Sequence, residues 1–351
     1  MTNINNQEIT VEWKSPSNLA IVKYWGKKDI QKPLNPSISF SLKNAVTTTR
    51  VTAKPSDQGG FTFYLDGNKK ETFNNKVANL LKMATSTLPF IATHHLTIES
   101  SNTFPHSSGI ASSASSMSAL ALCLTDLQRM INNEADHNLD LRKVSELARL
   151  GSGSAARSLY GGWTIWGETP TIANSSNYYA VELPAIHPGF MQITNAILII
   201  EPKSKKVSSS QGHALMNNHP YGAARIQQAN DNALQLLEVL RSGDWNQFFE
   251  IAENEALSLH ALMMSSNPGF TLLHPNSLKV IEEVRKARIE QNLPVGFSMD
   301  AGPNVHLLYP KCEEKKILPW IKNRIKPLCY QQQIIFDQLG DGPERTDIYE
   351  L

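Results

Sequence analysis

Apolar and polar residues alternate in short runs through the first part of the chain, the period of half-buried strands, with turn-forming residues between the runs. Ile9 to Trp13, Ser37 to Leu42, Thr47 to Ala53, Phe61 to Leu65 before the turn Asp66-Gly67-Asn68, and His95 to Ser100 are read as strands on this pattern. The spacing then changes. From Ser112 to Asn132 the residues Met117, Leu120, Ala121, Leu124 and Leu127 recur at intervals of three and four, which predicts a helix with one buried face. Asp140 to Leu150, ending before Gly151, predicts a second helix. Gly162 to Trp166, Ala180 to Leu183 and Ile193 to Ile200 read as strands, the last apolar enough to be buried and central.

Beyond Pro202 helical spacing dominates, over Ala214 to Met216, Ala223 to Arg241, Trp245 to Met264 and Ser277 to Gln291. Strand-like runs stand among them at Gly296 to Met299, Asn304 to Tyr309 and Gln333 to Asp337. Strands and helices in both halves define an α+β or α/β class, with a domain boundary at 185 to 192, around His187-Pro188-Gly189. No internal repeat is visible.

Composition narrows the function classes. The chain has 351 residues, enough for two cores. Its 33 basic and 32 acidic residues leave a net charge of +1, so no global field recruits nucleic acid or an anionic membrane, and any anion must be bound by a local site. Cys123, Cys312 and Cys329 are odd in number and fit no metal-ligand spacing, which points to reduced packing thiols and a cytoplasmic protein. The polar start, Met1 to Glu8, lacks the apolar core of a signal peptide, and no apolar run is long enough to span a bilayer.

Five segments carry more polar residues than a packed element needs. Phe104 to Met117 passes from small residues directly into a helical pattern, as a phosphate-binding helix N-terminus does; a Ser-rich connector has the same composition. It has neither the Gly-Lys-Ser/Thr of a Walker loop nor the glycines of a dinucleotide fingerprint. Ser17 to Asp29 sets Lys23 and Lys27 beside Tyr24 and Trp25, suiting a phosphate or carboxylate, or else a solvated lysine cluster. Gly151 to Gly162 offers an anion nest and Arg157, or a plain helix link. Val207 to His213 is rich in hydroxyls before a helical stretch and is also what a helix cap looks like. Gly296 to Val305 places Asp300 at the end of an apolar strand, where Ala301-Gly302-Pro303 forces a turn.

In this order the segments resemble the diphosphomevalonate decarboxylase family of the GHMP kinase superfamily. Asn18-Leu19-Ala20-Ile21-Val22-Lys23-Tyr24-Trp25-Gly26-Lys27 is similar to its N-terminal signature, and Pro105 to Ala114 to its ATP loop. Ser152-Gly153-Ser154 with Arg157 to Gly162, and Asp300-Ala301-Gly302-Pro303-Asn304, complete the set. The resemblance implies a two-domain α+β fold: a ribosomal protein S5 domain 2-like ATP-binding domain at 1–188 and a ferredoxin-like domain at 189–351. It also implies ATP and Mg²⁺, conversion of mevalonate 5-diphosphate to isopentenyl diphosphate, and a homodimer. Asp300 would orient or deprotonate the 3-hydroxyl, Lys23 would hold Asp300 as a carboxylate, and Arg157 would clamp the C1 carboxylate.

On the same basis Tyr24, Lys27, Ser152, Ser154, Ser208, Ser209 and Gly212 would bind the substrate, chiefly its 5-diphosphate. Pro105, Ser107, Ser108, Gly109, Ala111, Ser112 and Ser113 would cradle ATP, with Ser112 or Ser113 near the γ-phosphate and Mg²⁺, and Asn102 on the adenine side. Three positions depart from the family pattern: His106 for a common Thr, Ala156 for a frequent Cys, and His213 for a common Met. A monophosphate decarboxylase, a 3-kinase-like enzyme and a non-catalytic sensor on the same fold are the alternatives.

Overall fold

A computed structural model describes residues 8–70, 74–104, 110–134, 138–202 and 209–350. The first half contains β1 (Ile9–Ala20), β2 (Lys27–Lys28), β3 (Lys32–Pro33), β4 (Ser37–Pro55), β5 (Gly60–Leu65), β6 (Asn68–Lys69) and β7 (His94–Asn102). Around them lie α1 (Asn74–Ala84), α2 (Ser112–Ile131), α3 (Leu141–Gly151), β8 (Trp163–Trp166) and β9 (Ala180–Glu182). The second half runs through β10 (Ile193–Leu198), α4 (Ser209–Ala214), α5 (Gly222–Ser242), α6 (Trp245–Ser265) and α7 (Pro275–Gln291). It closes with β11 (Gly296–Ser298), β12 (Val305–Pro310), α8 (Glu314–Trp320), β13 (Ile334–Gln338) and β14 (Glu344–Glu350).

Two sheets organise these elements. Among the described residues the larger has the order β14-β1-β4-β7-β5-β6, with β8 and β9 added at the other end of β4. Its pairings are antiparallel except β5 with β7. Helix α2 buries Met117, Leu120, Ala121, Leu124 and Leu127 against it, the face that its spacing predicts. The smaller sheet has the order β11-β12-β10-β13, and β10 is inner and wholly buried, as its unbroken apolar run requires. Helix caps follow the sequence: Asp140 accepts from the N–H groups of Arg142 and Lys143, and Asp244 from those of Asn246 and Gln247.

The runs Ser37 to Leu42 and Thr47 to Ala53 belong to one strand, β4. The polar residues between them form a bulge: opposite β1 the register passes from Asn18↔Ser41 to Pro16↔Val46. Asp337, on β13 of the other sheet, takes up the amides freed there. Its carboxylate accepts from the N–H groups of Lys43 (2.9 Å), Asn44 (2.9 Å), Ala45 (2.8 Å) and Gln338 (2.8 Å). The strand β14 then returns to the first sheet and pairs with β1, so the tail of the chain closes on its head. The helix expected at Ala214 to Met216 instead spans Ser209–Ala214, and Leu215 and Met216 lie in the turn that follows it. Cys123 and Cys329 are buried packing thiols, but Cys312 is exposed on the turn Lys311–Glu313 and packs nothing. No helix among the described residues is long and apolar enough to cross a membrane.

Replacing Asp337 by Ala strands the buried amide of Ala45, while those of Lys43 and Asn44, on exposed residues, can turn to water; an unsatisfied buried donor costs about 1 to 3 kcal/mol. Denaturant unfolding of Asp337→Ala is therefore expected to show a loss of about 1 to 3 kcal/mol. A loss under about 1 kcal/mol would show that water replaces the clamp.

Candidate active site

Beyond Ala20 the first strand leaves its ladder, and the segment Ile21 to Gly26 turns into a cleft between the two sheets. Ile21 and Val22 still donate to the carbonyl of Ile38. Lys23 points inward and is 2% exposed, so the lysine here is not a solvated cluster. Its ammonium donates to the carbonyl of Ala20 (2.6 Å), to Ser298 Oγ (2.9 Å) and to Asp300 Oδ1 (2.9 Å). Asp300 lies just past β11 at the edge of the cleft, with its side chain 24% exposed. Two residues nearly 280 positions apart thus form one buried ion pair with an open face.

Arg157 sits opposite on the short 3₁₀ helix Gly153–Leu159 and is 3% exposed. Its Nε donates to Asn18 Oδ1 (3.2 Å) and Ser39 Oγ (3.0 Å), while Nη1 is buried with no hydrogen-bond partner. Asn18 is in turn fixed by donating to Ser158 Oγ (2.7 Å) and the Ser154 carbonyl (3.1 Å). Burial pushes the guanidinium down to about 10 against the pull of Asp300. A cation desolvated to this degree, with a donor left over, is built for an anion it does not carry within the chain.

Tyr24, Lys27 and His213 form the next part of the wall. Lys27 Nζ and Tyr24 Oη both donate to Gln31 Oε1, at 3.1 and 3.3 Å. Burial, with the nearby charge of Lys76, lowers the Lys27 ammonium from its ordinary range. His213 is sandwiched by Tyr24 and Trp25, with ring centroids 4.4 and 4.8 Å away. The Gly26 N–H donates to its Nδ1 (3.1 Å), so the proton of the neutral ring is on Nε2. Burial, and then Lys27, push its pKa down to about 3. Two glycines permit this packing: a Cβ on Gly153 would fall 2.8 Å from both Tyr24 and Trp166, and one on Gly212 would fall 2.4 Å from Trp25.

The far wall is the N-terminus of α2. Ala111, its cap, is left-handed at φ 44° and makes no side-chain cap bond, so the first-turn amides lack the usual side-chain acceptor. Ser113 lines the cleft, and Ser152 Oγ donates to Ser113 Oγ and meets Ser154 Oγ, both at 3.3 Å.

The cleft, of about 250 Å³, thus gathers Lys23, Tyr24, Lys27, Ala111, Ser113, Ser152, Ser154, Arg157 and Asp300. Three other predicted residues stand off it. Asn102 accepts from Thr47 Oγ1 (2.6 Å) at the end of β7, Ser112 uses its carbonyl for the hydroxyls of Ser115 and Ser116, and Gly212 packs beneath Trp25. Pro105, Ser107, Ser108, Gly109 and Ser208, with the side chain of Ser209, lie outside the described residues, as does His106. Lining residues that the sequence reading did not assign to the site include Asn18, Trp25, Gln31, Lys76, His213, Leu259 and Ala301. Asn18 and Trp25 stand inside the N-terminal signature and were legible there; Lys76 and Leu259 arrive from helices with no local mark.

A buried ammonium paired with a partly exposed carboxylate, a buried guanidinium with one donor unpartnered, and a helix start without a side-chain cap line one cleft, which suits an anionic substrate on a two-domain α+β enzyme. Comparison with known proteins makes this specific. A diphosphomevalonate decarboxylase-like N-terminal domain matches residues 15–178, and a mevalonate 5-diphosphate decarboxylase C-terminal domain matches residues 195–345. The chain is 30% identical over 331 residues to the diphosphomevalonate decarboxylase of Ganoderma lucidum, covering 88% of this chain and 80% of that one. It superposes on the mevalonate diphosphate decarboxylase of Staphylococcus aureus with a TM-score of 0.84 at 29% identity, covering 97% and 98% of the two chains. It is equally similar to MDDEF in complex with MVAPP, AMPPCP and magnesium, with a TM-score of 0.83 at 28% identity and coverage of 98% and 100%. The chain belongs to the diphosphomevalonate decarboxylase family.

Two buried neutral imidazoles make the fold acid-sensitive. His306, with Nδ1 3.1 Å from Asn195 Oδ1, is pushed by burial down to about 4, with Asp300 and Lys23 as smaller opposing influences. Both folded values lie below the ordinary 6.5, so the unfolded chain binds protons that the folded one refuses. Stability is full above pH 6.5 and falls as pH drops toward about 4 for His306 and about 3 for His213. In unfolding titrations, His213→Met is expected to remove about 2 kcal/mol of the loss between pH 6.5 and 5, at about 1.4 kcal/mol per unit. An unchanged slope in that variant would exclude His213 as a contributor.

Proposed function

We propose that this protein catalyses the ATP-dependent decarboxylation of mevalonate 5-diphosphate, yielding isopentenyl diphosphate, ADP, phosphate and CO₂. One observation carries the reading: buried Arg157, with one donor unpartnered, lines the same cleft as the Lys23–Asp300 pair. That arrangement suits a molecule with a carboxylate at one end of a short carbon chain and a hydroxyl near it. A relative of the same fold holds MVAPP, AMPPCP and magnesium together.

Arg157 grips the C1 carboxylate and holds the C1–C2 bond anti to the departing C3–O bond, so that the electrons released with CO₂ form the C2–C3 double bond as the phosphorylated oxygen leaves. Asp300 takes the 3-hydroxyl as a hydrogen-bond donor and is the base for its proton. Lys23, which donates to Asp300 Oδ1, keeps that carboxylate oriented and offsets its charge. Tyr24 and Lys27 hold the 5-diphosphate. Residues 1–188 supply the nucleotide-binding half, and residues 189–351 bring Asp300 to it.

The first turn of α2 fits the phosphates of a nucleotide, since its amides lack a side-chain cap and Ser113 stands beside them in the cleft. Mg²⁺ would be carried on the phosphate oxygens, with the Ser113 hydroxyl beside them in the cleft. When bound, ATP with Mg²⁺ makes the tertiary hydroxyl a competent leaving group.

Asp300→Asn is expected to abolish CO₂ and ADP release while nucleotide binding stays within a few-fold, because the amide keeps the shape and loses the base. Near-normal turnover would remove Asp300 from the chemistry. Mevalonate 5-diphosphate is expected to exceed the 5-monophosphate in kcat/KM by at least roughly 100-fold, about 2.7 kcal/mol, the worth of one or two charge-assisted bonds. Lys27→Ala is expected to narrow that gap by weakening the diphosphate alone. ADP release without CO₂ identifies a 3-kinase, equal use of both phosphates identifies a monophosphate decarboxylase, and no turnover with any of them identifies a sensor.

A further inference from the structure

The cleft accounts for the Lys23 ammonium, but the main chain of Lys23 has left every sheet. Its N–H donates to Glu255 Oε2 at 2.8 Å, and its carbonyl accepts from Asn35 Nδ2 at 3.1 Å. Glu255 lies on α6 and is fully buried, an expensive place for a carboxylate. Its oxygens are otherwise taken by Arg225 of α5, which donates from Nη1 to Oε1 and from Nη2 to Oε2 at 2.6 Å each, and by Asn232 Nδ2 at 2.7 Å. Arg225 is itself 3% exposed. Five residues further along α6, His260 Nε2 donates to the main-chain carbonyl of Asp300 at 3.2 Å. One helix therefore holds the backbone of both members of the Lys23–Asp300 pair.

We propose that Glu255 is a positioning residue: by accepting the Lys23 N–H it fixes, together with His260, the separation at which Lys23 and Asp300 meet. The Arg225 pair holds the carboxylate in one rotamer, so that its fourth acceptor site is aimed at a single amide. A looser anchor lets the Lys23 backbone drift, and a displacement of about 1 Å at a reacting centre costs on the order of 100-fold in rate. Substrate binding rests on other groups and is left nearly unchanged. The inference rests on the decarboxylase reading for its assay alone.

The test compares two double variants that both remove the buried charges. Arg225→Met with Glu255→Gln keeps an amide oxygen for the Lys23 N–H; Arg225→Met with Glu255→Met keeps the packing and has no acceptor. The first is expected to retain kcat within about 5-fold of the unsubstituted protein, and the second to lose about 100-fold, both with KM within about 3-fold. Equal kcat per folded molecule in the two proteins, with folding checked by thermal melting, would overturn the proposal and leave the pair a packing feature. If the Met/Met protein does not fold, Glu255→Asp withdraws the acceptor by one methylene: a kcat loss of at least about 10-fold at constant KM supports the anchor, and unaltered kcat overturns it. Turnover of mevalonate 5-diphosphate by the unsubstituted protein tests the function separately. With any other substrate it turns over, the ratio between the variants still decides the anchor.

Discussion

The ammonium of Lys23 is the group the rest of the site depends on. Taking such an ion out of water costs several kcal/mol unless its three protons are all received in good geometry. Here they are received by a carbonyl of the same strand end, a hydroxyl of β11 and the carboxylate of Asp300. Two of those three acceptors come from the second half of the chain. The first half cannot bury its own lysine, and the cleft exists only when the two sheets have come together. Folding and assembly of the Lys23–Asp300 pair are in this sense one event.

Lys23, Arg157 and Arg225 are buried cations held in different ways, and what each presents to the cleft separates support from chemistry. Arg225 spends both terminal nitrogens on Glu255, keeps only Nε without a partner, and does not line this cleft. Lys23 is satisfied by protein but presents its partner Asp300 to the cleft. Arg157 has only its Nε engaged among the bonds to Asn18 and Ser39, and keeps Nη1 in hand. Desolvation is then largely borne before a ligand arrives, and a carboxylate that completes the guanidinium gains more than it would at an exposed arginine.

Much of this was legible in the sequence, and the exceptions have a common cause. Strong periodicity identified α2, α5, α6 and α7 and the inner strand β10, and the ordered motifs brought Lys23, Arg157 and Asp300 to one place. The bulge of β4 read as a gap between two strands, because Lys43 and Asn44 carry a turn's composition while their amides answer to Asp337 nearly 300 residues away. The strand β14 had no local signal, since its pairing with β1 is decided by where the chain returns. Glu255 looked like one more acid on an amphipathic helix. Its two oxygens acquire meaning only from Arg225 and Lys23, neither of which is at helical spacing from it in the sequence.

His213 shows how a buried imidazole can be accommodated. Such a ring must either charge or find a partner. The bare amide of Gly26 gives Nδ1 its donor, and the rings of Tyr24 and Trp25 cover both faces, so the neutral form is retained beside Lys27. A charged imidazole in the same place would repel Lys27 and bring a second cation into the sandwich. The neutral ring therefore adds no charge to the cleft it lines, and its N–H donor is on Nε2.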